Sequence, residues 1–369
     1  MIINRTPLRI SFFGGGTDYP SWYLKHGGSV LSTSIDKYCY ISCRVLPPFF
    51  EHKLRIVYSK TEQCCHFEEI EHPAVREILR FLQIDQGLEI HYDGDLPARS
   101  GMGSSSSFTV GLLHALYAQK GIMPSKKQLA LESIHIEQNM IKETVGSQDQ
   151  VCAALGGLNH IIFSTTGEID VQPVTLSIER MRELNSHLML FYTGIKRTAS
   201  EVANGYVEDI DSKYKILKKI HEIVVYGLEV LNSGFCICKF GELLHEAWIL
   251  KKCLSPEVSN GMVDALYNRA REVGAIGGKI TGAGGGGFLL LFVPPSARER
   301  VREALGRYIH VPFHFESSGS QIIFYEPEQQ DYSESERDRA KRIISSFKEL
   351  GSIQKTDKVM TTVVAGKKG

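Results

Sequence analysis

Residues 97–107, Pro-Ala-Arg-Ser-Gly-Met-Gly-Ser-Ser-Ser-Ser, connect two segments of opposite periodicity. Before them, Leu88-Glu89-Ile90-His91-Tyr92 alternates like a strand; after them, Phe108, Leu112, Leu113 and Leu116 recur at helical spacing up to Tyr117. The chain must therefore pass from strand to helix through two glycines and four serines. Such a junction leaves backbone N–H groups unobstructed at a helix start, where unpaired donors and about half a positive charge attract phosphate. A flexible serine linker has the same composition, but linkers seldom separate a strand from a periodic apolar helix. The loop has no Gly-Lys-Ser/Thr ending and no third glycine of a dinucleotide fingerprint.

Charge argues against a polymer as partner. Lys+Arg and Asp+Glu balance at 42 each, so no overall field recruits nucleic acid or an anionic membrane. The first residues lack a secretion-signal pattern, and no apolar run approaches the roughly 18 residues that span a bilayer. The eight cysteines form no paired CxxC zinc pattern and read as reduced, mostly buried thiols of a cytoplasmic protein. The length of 369 residues suits about two domains.

Strand patterns cover residues 2–13, 28–45, 53–59, 158–163, 188–192, 288–293 and 320–325. Helical patterns cover 104–120, a stretch opened by a Ser125/Gln128 capping box, a segment opened by a Ser147/Gln150 capping box, most of 193–273, and 296–307. The polar stretch 164–185 marks the approach to a boundary. The division expected is 1–180, 181–330 and a charged tail at 331–369, helical over Ser333–Leu350 and then loosely ordered.

Several residues stand out chemically. Ala130, Ile134, Glu137 and Ile141 share one helix face, so Glu137 lies within an apolar stripe, where an ionised carboxylate is costly unless paired or metal-bound. Asp149 falls in the first turn of a helix. There it complements the dipole and can also accept a proton. Gly14-Gly15-Gly16-Thr17-Asp18 ends the first strand with a hydroxyl and a carboxylate, suited to a polyol or to a simple turn. Gly282 to Gly287 match G-x-G-x-x-G, but a strand follows, so the run is either a tight turn or a close approach to a ligand. A serine hydrolase is disfavoured, since no G-x-S-x-G elbow is present.

In order and spacing these pieces resemble the three signature motifs of the galactokinase–homoserine kinase–mevalonate kinase–phosphomevalonate kinase (GHMP) superfamily. The motifs are Thr6-Pro7-Leu8-Arg9-Ile10 through Tyr19, Leu96-Pro97 through Ser106, and Lys279-Ile280-Thr281 through Gly287. Gly146-Ser147-Gln148-Asp149-Gln150 followed by Gly156-Gly157 is similar to the segment that bears the family's catalytic aspartate. The resemblance spans residues 5 to about 325 and looks greatest to the D-glycero-D-manno-heptose 7-phosphate kinases. Their triple glycine precedes Thr17-Asp18, whereas galactokinases carry Glu-His where this chain has Gly15-Gly16.

The resemblance implies an α+β fold of two domains, a ribosomal protein S5 domain 2-like N-terminal domain and a ferredoxin-like C-terminal domain. It also implies transfer of the ATP γ-phosphate, with Mg2+, to the anomeric hydroxyl of heptose 7-phosphate, giving a 1,7-bisphosphate in nucleotide-heptose biosynthesis. By matched position Asp149 would be the base and Arg9 would offset the charge of the transferring phosphate. Pro97, Arg99, Ser100, Gly101, Met102, Gly103, Ser104, Ser105 and Ser106 would hold the nucleotide, and Ser105 with Glu137 the metal. Gly15, Gly16, Thr17, Asp18, Gly284 and Gly285 would line the acceptor site; Lys196, Arg197 and Arg99 are candidates for an acceptor phosphate. Sugar or sugar phosphate and ATP are then the expected partners, without nucleic acid or membrane, and with a homodimer allowed. Alternatives are a kinase of the same fold for fucose, galactose or free heptose, and a ligand sensor without turnover.

Overall fold

The structure, a computed structural model, describes residues 1–195, 205, 207, 209–330, 332, 334, 335 and 338. The tail helix expected over 333–350 thus lies outside the described residues, save for single positions. The strands are β1 (Ile2–Phe13), β2 (Gly28–Val45), β3 (Leu54–Val57), β4 (Thr61–Cys64), β5 (Leu88–Gly94), β6 (Leu158–Phe163), β7 (Ile169–Pro173), β8 (Leu188–Tyr192), β9 (Gly277–Ile280), β10 (Phe288–Phe292), β11 (Ile309–His310), β12 (Phe315–Glu316) and β13 (Gln321–Tyr325). The helices are α1 (Pro20–His26), α2 (Pro73–Phe81), α3 (Ser104–Gln119), α4 (Lys126–His135), α5 (Gln148–Leu155), α6 (Ile178–Ser186), α7 (Tyr214–Asn232), α8 (Cys238–Lys252), α9 (Gly261–Glu272) and α10 (Arg298–Ala304).

One sheet has the backbone order β13-β1-β2-β5-β3-β4, with β12, β6 and β7 joined through β2; the other runs β11-β8-β10-β9 and is antiparallel. The continuous apolar runs of β8 and β10 follow from burial on both faces. Leu188, Leu190, Phe288, Leu290 and Phe292 face a core shared with β1, while Met189, Phe191, Leu289 and Leu291 face a core under α8 and α9. A register shift between Ser11 and Phe13 lets Phe12 and Phe13 both enter the shared core, which joins the two sheets. The last strands, β12 and β13, pair with β2 and β1, so residues 315–325 return to the first sheet across the expected 180/181 division.

α3 is more central than its apolar stripe implied. From Ser106 to Tyr117 only His114 is not fully buried. Ser125 caps α4 by accepting from Gln128 N at 3.1 Å, but the Gln128 side chain turns to Glu132 instead of closing the box. The box expected at Ser147 does not form either, because Gln138 donates to Ser147 Oγ and Gln150 donates to Glu137. The polar stretch 164–185 contains β7 and most of α6. The thiols are all free, but only Cys39, Cys43 and Cys152 are buried; Cys65, Cys236 and Cys253 are exposed. Among the described residues no helix is long and apolar enough to cross a membrane.

Candidate active site

Three loops and three element ends meet where the two sheets adjoin. β1 supplies Arg9, which is buried beneath the loop before α3. Its guanidinium donates Nε to Asp149 Oδ1 at 2.7 Å, Nη2 to Asp149 Oδ2 at 2.6 Å, and Nη1 to the Gly101 carbonyl at 2.7 Å. The fork geometry of Arg–carboxylate pairs fixes both groups in one plane. Burial alone would lower the Arg9 pKa, but the attraction of Asp149 outweighs it and the net direction is up. The Arg9 side chain is 5% exposed and that of Asp149 24%, so the carboxylate is the open side of the pair.

The loop before α3 stays open to an anion. Gly103, left-handed at φ +75, is the N-cap of α3, and no side chain caps the helix. A Cβ at Gly103 would sit 3.4 Å from Asp149 Oδ2 and 3.2 Å from Arg9 Cγ, so glycine keeps the loop against the ion pair. Gly101 and Gly282, both with positive φ, touch back to back: a Cβ at Gly101 would lie 2.6 Å from Thr281 O, and one at Gly282 2.6 Å from Gly101 Cα. The second and third glycine motifs therefore form one continuous wall.

Glu137 sits in a single π-turn, Ile136–Met140, which continues α4. Such bulges re-aim a side chain inside a helix. The serine it meets is Ser106, whose Oγ donates to Glu137 Oε2 at 2.9 Å, while Ser105 is exposed. One residue along a helix turns the side chain by about 100°, which puts Ser105 on the solvent side. Glu137 Oε1 is buried with no partner among the described residues. Burial pushes the Glu137 carboxyl up to about 7, against the opposing influence of the Thr109, Gln150 and Ser106 side chains.

Asp18 closes the turn after β1. Its Oδ1 accepts from Gly16 N and its Oδ2 from Gln148 Nε2, both at 2.9 Å. Burial raises its pKa. Thr17 Oγ1 is used internally, donating to the Gly14 carbonyl at 2.8 Å. Gly15 faces Ser11 Oγ and Gln148 Nε2, each 3.8 Å from where its Cβ would stand, and both Ser11 Oγ and Gln148 Oε1 are buried without partners among the described residues.

Other expected residues stand apart. Arg99 and Pro97 are exposed at the loop's outer rim, and Gly284 and Gly285 pack on Val258, with Gly285 N donating to its carbonyl at 2.7 Å. Lys196 and Arg197 lie outside the described residues. Two further buried lysines adjoin these loops: Lys279 on β9, donating to the Ser11 and Phe12 carbonyls at 2.9 and 3.0 Å, and Lys251 at the end of α8, donating to the Gly282 carbonyl. A charged residue on an apolar helix stripe was the signal available for Lys251, since Leu244, Ala247 and Trp248 precede it at helical spacing.

The GHMP kinases N terminal domain matches residues 70–157, and the GHMP kinases C terminal domain matches residues 236–310. A D-glycero-alpha-D-manno-heptose 7-phosphate kinase of Campylobacter jejuni is 28% identical over 82% of this chain and 93% of its own length. A bifunctional fucokinase/GDP-fucose pyrophosphorylase of Arabidopsis thaliana is 26% identical over 80% of this chain but only 30% of that longer protein. A D-glycero-D-manno-heptose 1-phosphate kinase structure from Bacteriodes thetaiotaomicron superposes with a TM-score of 0.73, at 22% identity, over 88% of this chain and 100% of that one. With both domains present in order and that two-domain fold, the chain belongs to the GHMP kinases, ATP-dependent phosphotransferases that act on a hydroxyl group.

Proposed function

We propose that this GHMP kinase phosphorylates a sugar, D-glycero-D-manno-heptose 7-phosphate, on its anomeric hydroxyl. The observation that carries the reading is the Arg9–Asp149 fork, set between the uncapped start of α3 and the Asp18 turn. The choice of a heptose is supported by the Campylobacter relative and by the small Gly15, which leaves room beside Ser11 and Gln148.

Phosphoryl transfer depends on alignment and charge neutralisation more than on covalent help from the protein. The amides of residues 104–106 receive the triphosphate at the helix start. Asp149, aligned by Arg9, accepts the proton of the attacking hydroxyl at its more exposed carboxylate face. Asp18 and Gln148 hold neighbouring hydroxyls, since both present buried oxygen acceptors.

The residues fit a hard divalent cation. Glu137 Oε1 is an orphaned buried carboxylate oxygen, and Ser106 Oγ stands beside it as a second oxygen. Glu137 and Ser106, in place of Ser105, would hold Mg2+, which when bound neutralises triphosphate charge. ADP release measured with heptose 7-phosphate, free heptose, mannose, fucose and galactose tests the proposal. Heptose 7-phosphate should give the highest kcat/KM, with the new phosphate at C1 by 31P NMR. A preference for an unphosphorylated sugar would overturn the heptose phosphate assignment.

A further inference from the structure

Three buried cations and two carboxylates interact at the meeting of the motifs. Arg9, Lys251 and Lys279 are 4–6% exposed and Asp18 2%, and each lysine feels the charges of Arg9 and Asp18. With all five groups ionised the cluster would carry one positive charge in excess, a demand that burial eases by lowering the Lys279 pKa well below its ordinary value, and an isolated buried charge is costly.

Hydrogen bonding locates the excess. Arg9 is matched by Asp149 through two bonds, and Lys279 has two backbone carbonyls in Ser11 and Phe12. Lys251 has one acceptor among the described residues, the Gly282 carbonyl, and no carboxylate partner. A lysine carries three N–H donors, so two remain. Gly282 abuts Gly101 of the phosphate loop, and Leu254, three residues beyond Lys251, lies 3.8 Å from where a Cβ on Gly16 would stand. Lys251 thus stands between the wall that faces the nucleotide and the turn that faces the acceptor.

We propose that Lys251 is a seat for a phosphoryl group. Two sources share that chemistry: the phosphoryl in transfer and the phosphate carried by the acceptor. The assignment deepens the kinase reading and rests on it for the source of the group, but not for the presence of an anion site. Burial pushes the Lys251 ammonium down to about 8, with Arg9 adding to the shift, so at neutral pH it is still charged.

Lys251→Met and Lys251→Gln test the seat; the glutamine keeps a donor without the charge, so the result does not hang on one variant folding. Melting curves are recorded in inorganic phosphate and in chloride of equal ionic strength. Phosphate should raise the melting temperature of the wild type and raise that of the variants less or not at all. An equal rise in all three would place the anion elsewhere and overturn the assignment. Kinetics then identify the source. A fall in kcat on the order of 100-fold with both heptose 7-phosphate and free heptose marks the phosphoryl in transfer. A rise in KM confined to heptose 7-phosphate marks the acceptor's own phosphate. If no sugar is turned over, the kinase proposal fails while the phosphate melting result still decides the role of Lys251.

Discussion

Asp149 and Glu137 are the two carboxylates whose replacement separates chemistry from binding. Asp149→Asn keeps the shape of the side chain but removes the proton acceptor and leaves the buried Arg9 without its counter-charge. Single-turnover kinetics should show a loss of about 10²–10⁴-fold in rate, while nucleotide affinity, set by the α3 start, stays near wild type. For Glu137 the informative variable is pH. Its folded carboxyl titrates at about 7 and its ordinary value is 4.5, so between those values the folded state holds a proton that the unfolded state has lost. The stability tied to the neutral carboxyl is complete below pH 4.5 and is lost as pH rises through about 7. Melting curves in a chelator should show that decline in the wild type and not in Glu137→Gln. A bound cation displaces the same proton, so Mg2+ affinity should rise with pH up to about 7 and then level off.

At the scale of elements, the site depends on two glycine loops touching through their backbones. Gly282→Ala would force a Cβ to within 2.6 Å of Gly101 Cα at φ +65, so the loops must part. We expect a destabilisation of at least 1–3 kcal/mol, together with a raised KM for ATP. Gly121→Ala is the matched control, because Gly121 has φ +69 but nothing within 4 Å of the added Cβ. Its cost is backbone strain of about 1 kcal/mol, with KM unchanged. Unfolding midpoints and ATP kinetics on both variants separate loop contact from strain.

Across the whole molecule, the chain closes on itself through its late return to the first sheet. Ser320 receives a bond from Asn4 Nδ2 at 2.9 Å and from Thr6 Oγ1 at 2.8 Å, and β13 pairs with β1. Ending the chain at residue 314 would remove the Ser320 bonds to Asn4 and Thr6 and leave the β1 edge open. Such a chain should lose its single cooperative unfolding transition in calorimetry. The eight cysteines are free, so no covalent cross-link shares this role. Adding reductant should leave the melting temperature of the full chain unchanged.

Local pattern alone specified the strands at 2–13 and 28–45, the helix after the serine-rich loop, the glycine turns, and the unusual positions of Glu137 and Asp149. Those features depend on side-chain periodicity and backbone freedom, which a short window of sequence carries. Which serine meets Glu137 depended on helix phase after a left-handed cap, a matter of one residue and about 100°. The Arg9–Asp149 fork joins groups 140 residues apart, and Lys251 reaches the site only because α8 ends against the third glycine loop. Neither contact leaves a trace in local periodicity, because both exist only once the two sheets share the core around Phe12, Phe240 and Phe292. Local pattern thus supplies the elements and the chemistry available, and the packing of one sheet on the other sets which charges face each other.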